Sequence, residues 1–126
     1  KENGITDIIM VIGHLGEKIR EYFGDGEKFG VAIRYFEETE PLGTAGSFYY
    51  LKDMIHGDRF VMMSGDLFFD IDFQRMIHFH EEKGAVATLF VHPNGHPFDS
   101  DLLVLDHDDK ITAFSIMCGI IGIRTA

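Results

Sequence analysis

A chain of 126 residues can build one hydrophobic core, and residues 1–126 read as a single, partial domain. Hydrophobic residues at 45% against 25% charged are ordinary globular composition and exclude general disorder. The 11 basic and 21 acidic residues leave a formal charge of -10, which opposes nucleic acid and anionic membrane surfaces as partners and makes any anionic substrate depend on a local cation.

In chain order, Lys1-Glu2-Asn3-Gly4 reads as the end of a helix with Gly4 as its C-cap. The chain therefore reads as truncated at its start, with no signal peptide. Residues 5–12 form a nearly continuous aliphatic run closed by Gly13, the pattern of a strand buried on both faces of a parallel sheet. Leu15, Ile19, Tyr22 and Phe23 then recur at helical spacing, with charged residues between them and Gly24 as the stop. Gly24-Asp25-Gly26 is turn chemistry, and residues 29–36 alternate as the next strand, completing a βαβ unit. Phe48, Leu51 and Ile55 mark a second helix ending near Gly57, and residues 59–64 are predicted to be the central strand. Asp72 can cap a third helix with an inner stripe of Phe73, Met76, Ile77 and His80, stopped by Gly84. Residues 85–91 are another β-rich run. Residues 92–97 form a turn-rich loop, and residues 102–105 and 110–114 frame Asp106-His107-Asp108-Asp109 as a hairpin. The expected fold class is α/β: a Rossmann-like, mostly parallel sheet with helices on both faces, right-handed crossovers, and a small antiparallel excursion near residues 102–114. The one cysteine, Cys118, excludes an intrachain disulfide and reads as a packing residue. No apolar run approaches the roughly 20 residues of a membrane span. A soluble, cytoplasmic protein is the expectation.

Two stretches carry chemistry. Glu38-Thr39-Glu40-Pro41-Leu42-Gly43-Thr44-Ala45-Gly46 lies between a predicted strand and a predicted helix, and its small residues let the backbone approach a flat or anionic ligand. The acceptor-only carboxylate of Glu38 matches the ring N–H and exocyclic amine that guanine presents on one edge, with Pro41, Gly43 and Thr44 shaping the pocket. Farther on, Ser64-Gly65-Asp66 follows the apolar run Phe60-Val61-Met62-Met63, which places one carboxylate where a strand should stop, the usual ligand position in open α/β sheets. Such an Asp suits a hard divalent cation. Taken singly, each stretch also has a plainer explanation: a connection needing small residues for packing, and an Asp capping a turn or helix.

Together, Glu-Pro-Leu-Gly-Thr-Ala-Gly and the later Gly-Asp resemble the sugar-1-phosphate nucleotidyltransferase family, and most of all its GDP-mannose pyrophosphorylase branch. The resemblance runs over about residues 1–114, the middle of that family's catalytic domain. It implies the nucleotide-diphospho-sugar transferase fold, with nucleotide binding at Glu38, Pro41, Leu42, Gly43 and Thr44 and at Gly65. It also implies Asp66 as a catalytic carboxylate that holds Mg2+. The implied reaction transfers a nucleoside monophosphate from an NTP, GTP favoured, to a sugar 1-phosphate, mannose 1-phosphate favoured, and releases pyrophosphate. A homo-oligomer is compatible with the sheet edge that truncation would leave.

The departures from the family pattern bear on activity. The family's Gly-rich phosphate loop, with its Arg and Pro-Lys pair, would precede Lys1, and its second metal carboxylate would follow residue 126. Losing those contacts, at about 1.5–3 kcal/mol each for charge-assisted bonds, makes this chain alone inactive or nearly so by expectation. The family's Glu-Lys-Pro-like segment after Phe114 is missing, and Met117-Cys118-Gly119-Ile120-Ile121 resembles its next strand with Met where Asn is expected. His92-Pro93-Asn94-Gly95-His96-Pro97-Phe98-Asp99-Ser100-Asp101-Leu102 closely resembles a segment of D-glycero-D-manno-heptose 1-phosphate guanylyltransferases that borders the sugar site, so a heptose phosphate rivals mannose 1-phosphate. A metal at His92, His96 and Asp99 is the weaker reading of that loop. His78 and His80, about 200° apart on a helix, cannot share one ion. Phe48, Tyr49, Tyr50, Phe68 and Phe69 read as core. Two other classes remain open: a non-catalytic regulator that binds a nucleotide sugar, and a fragment that acts through assembly.

Overall fold

Two short, mainly apolar strands lie side by side in the same direction, and the loop that leaves the carboxyl end of the second carries the candidate nucleotide turn. The structure is a computed structural model, which describes residues 1–40, 42–68, 70–93, 95 and 102–115. Its contacts divide the chain into two units, Lys1–Gly84 and Ala85–Ala126.

In the first unit, β1 (Asp7–Ile12) pairs in parallel with β2 (Ala32–Glu37), Asp7 opposite Ala32 and Ile12 opposite Glu37. Parallel neighbours need a crossover. Here it is α1 (Gly16–Phe23) followed by a single 3-10 turn, Glu27–Phe29. The turn chemistry read from Gly24-Asp25-Gly26 is present: Asp25 accepts from the Glu27 N–H at 3.0 Å, and Gly24 and Gly26 have positive φ. Phe29 belongs to the 3-10 turn, so β2 begins later than the alternation alone implies.

The two faces of β2 meet different helices. Ile33, Tyr35 and Glu37 face the α1 side: the Tyr35 hydroxyl donates to Gly24 O at 2.7 Å, and Arg20 reaches both Glu37, at 3.2 Å, and the Tyr35 ring. Arg34 and Phe36, on the alternate positions, meet α2 (Gly43–Leu51) and the turn after it. Helices therefore lie on both faces of the parallel pair, as the α/β reading requires. The buried apolar residues among those described are Ile12, Ile33 and Leu51, one each from β1, β2 and α2.

α3 (Phe73–Lys83) follows its sequence signals closely. The Asp72 side chain accepts from the Arg75 N–H at 3.0 Å, and Gly84 ends the helix at φ 57. Phe73, Met76, Ile77 and His80 form its inner face, half-buried. Arg59 pairs with Glu81, and this hydrogen-bonded partner lowers the Glu81 carboxyl below its ordinary value and raises the Arg59 guanidinium above its own. Gln74 donates to Asn3 O at 2.7 Å.

Three expectations are overturned. Residues 59–64 take no strand pairing: Phe60, Val61, Met62 and Met63 are all exposed. Residues 85–91 likewise form no strand. β1 is not buried on both faces, since Asp7 and Val11 are exposed and only Ile12 is fully covered. The physical reason is common to all three: apolar runs become strands only when neighbours accept their backbone bonds and cover their side chains, and β1 has one pairing neighbour among the described residues. The α1 stripe is also narrower than its spacing suggests. Ile19 and Phe23 are half-buried, whereas Leu15 caps the helix in the left-handed region and Tyr22 is exposed.

In the second unit, β3 (Leu102–Leu105) and β4 (Ile111–Ser115) form the antiparallel hairpin read from the sequence. Its turn is held by Asp106, whose side chain accepts from the N–H groups of Asp108 and Lys110 at 2.9 and 3.0 Å, and Asp109 takes φ 63. Asp readily adopts both roles. Among the described residues no helix is long and apolar enough to cross a membrane.

Candidate functional site

Glu38 is the first residue past β2. Its N–H donates to Ile12 O at 2.8 Å, so the loop begins where the ends of β1 and β2 are still bonded to each other. Glu38 is half-buried, while Thr39 and Glu40 are exposed. Pro41 lies outside the described residues. Leu42, half-buried, stands at the head of α2 with φ -92 and ψ -2. Gly43 opens the helix at φ 71 with nothing near the place a Cβ would take, so the backbone alone sets its need for glycine. The backbone of Thr44 continues the first turn. Gly46 answers a different constraint: a Cβ there would sit 2.9 Å from the Leu42 Cβ, so its bareness lets Leu42 fold back over the helix. Leu42 makes no side-chain cap hydrogen bond and the first turn holds no acidic residue, so among the described residues no side chain is seen to accept from the first N–H groups of the helix. Glu38, Leu42 and Gly43 therefore lie along one turn at the carboxyl edge of the parallel pair.

Gly65 and Asp66 sit on an exposed turn after residues 59–64 rather than at the end of a strand, which corrects the sequence-based placement of Asp66. The start of that segment is tied to α2, since the Phe48 and Phe60 rings lie 5.6 Å apart. No hydrogen bond or ion pair links Asp66 to Glu38 or Gly43 among the described residues. Nothing lies within 4 Å of where a Gly65 Cβ would be. Among the described residues no hydrogen bond holds the exposed Asp66 side chain in a cap, so its oxygens are open to a ligand. Among the described residues no group of three or more His, Cys, Asp or Glu could hold a metal ion. A cation completed by phosphate oxygens and water needs only one or two protein carboxylates, and an unengaged hard oxygen donor at Asp66 fits that need.

His78 is exposed and His80 half-buried on α3, and the His92 Nδ1 lies 2.9 Å from Pro93 O. His96, Asp99, Phe69, Cys118 and the segment around it lie outside the described residues. Tyr49, Tyr50 and Phe68 are exposed, against the core reading: α2 turns Ser47 and Leu51 inward and Tyr49 and Tyr50 outward, and Phe68 lies past the Gly65-Asp66 turn in a segment with no strand pairing. Tyr50 instead stacks on Phe36, with centroids 5.7 Å apart. An open depression of about 560 Å³ lies at the opposite, amino end of the strands, lined by Thr6, Asp25, Glu27, Val31, Ala32 and Ile33.

One group escaped the sequence reading. Arg34, in the middle of β2, donates to both carboxylate oxygens of Asp7, at 3.0 and 2.8 Å through one nitrogen, and to Met54 O at 2.7 Å, with His56 Nε2 3.3 Å away. The available signal was an arginine inside an otherwise apolar strand, a position where a charge needs partners.

Comparison with known proteins places this geometry. A family model described as nucleotidyl transferase matches residues 1–115. The chain is 33% identical over 119 residues to a probable mannose-1-phosphate guanylyltransferase 1 of Oryza sativa subsp. japonica, an alignment covering 90% of this chain and 33% of that protein. It is 32% identical over 127 residues to a UTP--glucose-1-phosphate uridylyltransferase of Synechocystis sp., with the same coverage, 90% and 33%. It is 38% identical over 87 residues to a D-glycero-alpha-D-manno-heptose 1-phosphate guanylyltransferase of Campylobacter jejuni, covering 69% of this chain and 38% of that protein. The chain thus spans about a third of the length of these relatives. With the family model matched along nearly all of its length and a parallel βαβ unit leading into the small-residue turn, this chain belongs to the nucleotidyl transferase family.

Proposed function

We propose that this chain supplies the nucleotide-base loop and a metal carboxylate of a sugar-1-phosphate nucleotidyltransferase. In the reaction, a phosphate oxygen of the sugar 1-phosphate attacks the α-phosphorus of an NTP. The bond from that phosphorus to the bridging oxygen breaks, and pyrophosphate leaves with the electron pair. Mg2+, when bound, neutralises charge on the phosphates. The protein's part is to hold the groups in line: Glu38, Pro41, Leu42, Gly43, Thr44 and Gly65 receive the nucleotide, and Asp66 contributes an oxygen to the cation. The observation that carries this reading is the turn running from Glu38, bonded to the end of β1, into an uncapped helix opened by Gly43 at positive φ.

GTP is the preferred donor in this reading, because a carboxylate at Glu38 complements guanine's two adjacent donors. Relatives named for guanylyl and for uridylyl transfer both resemble this chain, so the donor is the first thing to measure. The acceptor is a sugar 1-phosphate, mannose 1-phosphate first and a heptose 1-phosphate second, the latter supported by the relative named for that substrate. A cytoplasmic setting, where NTPs are found, belongs to the same reading.

The test is pyrophosphate release by the full-length protein, with GTP or UTP against mannose, glucose and heptose 1-phosphates, with and without Mg2+. Turnover with GTP and one of these sugars, dependent on Mg2+, is the expected result. Saturable binding of a nucleotide sugar without turnover of any pair would favour a regulatory role instead.

A further inference from the structure

We propose that Arg34 is a positioning residue for the nucleotide loop, acting through α2 with Asp7 as its anchor; the inference rests on the nucleotidyl-transfer reading of that loop.

α2 is a weak helix by itself. Its sequence holds two glycines, poor intrinsic helix formers, and Leu42 at its head makes no side-chain cap hydrogen bond. A helix of nine residues with these handicaps holds its place through tertiary contacts. One face of β2 supplies two of them. Arg34 donates to Met54 O, in the turn that leaves the helix, and Phe36, two residues on, stacks its ring on Tyr50 inside the helix. Glu38 is the next residue in that two-residue step. The strand face thus runs along α2 from its exit toward its entry, so a shift at the Met54 end moves Leu42 and Gly43 relative to Glu38.

Arg34 suits this task because its own position is determined. Asp7, at the start of β1, takes two of its N–H groups, through Nε at 3.3 Å and Nη2 at 3.0 and 2.8 Å. The remaining nitrogen is then aimed at Met54 O and His56. A planar fork allows this division of labour, whereas a lysine ammonium cannot span both partners. The side chain is two-thirds covered, so solvent screens the pair less than at a fully exposed site. Arg34 touches neither nucleotide nor metal. Its contribution is the fraction of time that the loop spends in the binding-competent arrangement, and the apparent Kd rises as that fraction falls.

The experiment compares the full-length protein with its Arg34→Lys and Asp7→Asn variants, measuring GTP and UTP binding, KM and kcat for the nucleotide, and Tm. Arg34→Lys should raise the nucleotide Kd and KM about tenfold and leave kcat within about twofold, since uniform binding is lost and chemistry is not. Asp7→Asn, nearly isosteric and retaining one acceptor, should give a smaller change of the same kind, and it keeps the test alive if Arg34→Lys does not fold. Lowered Tm with unchanged KM in the variants would overturn the positioning role and leave a merely structural clamp. Failure of the unmutated protein to bind either nucleotide would overturn the nucleotidyl-transfer reading, and the positioning role with it.

Discussion

The Glu38 N–H reaches Ile12 O at 2.8 Å, making the last bond between β1 and β2 also the first fixed point of the candidate nucleotide loop. A carboxylate that starts from a bonded strand end has few backbone conformations to lose when a ligand arrives, which favours recognition of a rigid, flat group.

Glu38 should therefore decide the donor base. In the full-length protein, Glu38→Gln replaces one acceptor with a donor facing guanine's donors, and the Kd for GTP should rise roughly 10- to 100-fold, the value of one or two charge-assisted bonds. UTP binding should change little. Titration of both nucleotides checks this, and an equal loss for the two would remove Glu38 from base recognition.

Asp66 should separate chemistry from stability. It is exposed on a turn and caps nothing, so Asp66→Asn should move stability by no more than about 0.5 kcal/mol, as for surface sites in general. Mg2+-dependent turnover should nevertheless be abolished. Parallel measurement of Tm and pyrophosphate release tests both halves, and full activity would exclude Asp66 from the site.

The crossover between β1 and β2 depends on two glycines to different degrees. Gly24 has φ 59 and ψ -137, a combination essentially reserved for glycine, with open space where a Cβ would go, so Gly24→Ala should cost about 1–3 kcal/mol from backbone strain alone. Gly26 has φ 88, and a Cβ there would lie 2.7 Å from both Val31 O and the Ile33 Cγ1. Gly26→Ala should cost roughly 2–5 kcal/mol, strain plus overpacking. Denaturant unfolding of the two variants side by side gives the comparison, and similar losses would show that packing against Ile33 adds nothing.

Acid should weaken the α3 anchor. The hydrogen bond from Arg59, then its charge, lower the Glu81 carboxyl, with smaller help from His78 and His80. A lowered folded-state value contributes stability that is present above the ordinary glutamate value, about 4.3, and is lost as pH falls through the lowered one. Both groups are exposed, so the effect should be small and should shrink further in salt. Tm against pH for the unmutated protein and Arg59→Gln should diverge above that acid window and converge within it. Parallel curves throughout would show that the pair contributes nothing to stability.

Much of the fold was legible from local rules. Gly24 and Gly84 stop their helices, Asp72 caps α3, and Asp106 turns the hairpin, because each effect involves residues a few positions apart. The small-residue loop was legible too, through the glycine that its positive φ requires at Gly43. Residues 59–64 were misread for the opposite reason: their aliphatic composition fits a strand, but strand formation is decided by partners elsewhere in the chain. The placement of Asp66 failed along with that strand. Tyr49 and Tyr50 read as core from their place in a helical pattern, although which side of a short helix is covered depends on what packs against it.

By itself the sequence determined the first βαβ unit, the ends of α1 and α3, the hairpin and the family-specific turn, all of them encoded in short-range spacing and backbone preference, whereas α2 ends at Leu51, short of the Gly57 that the spacing of Phe48, Leu51 and Ile55 implies. Only the tertiary structure decided that Arg34 binds Asp7 and Met54, that β2 presents one face to each of two helices, and that Asp66 stands on an open turn. Those partners lie 20 and 27 residues from Arg34, a separation at which side-chain chemistry says that a partner is needed but chain geometry alone selects which one.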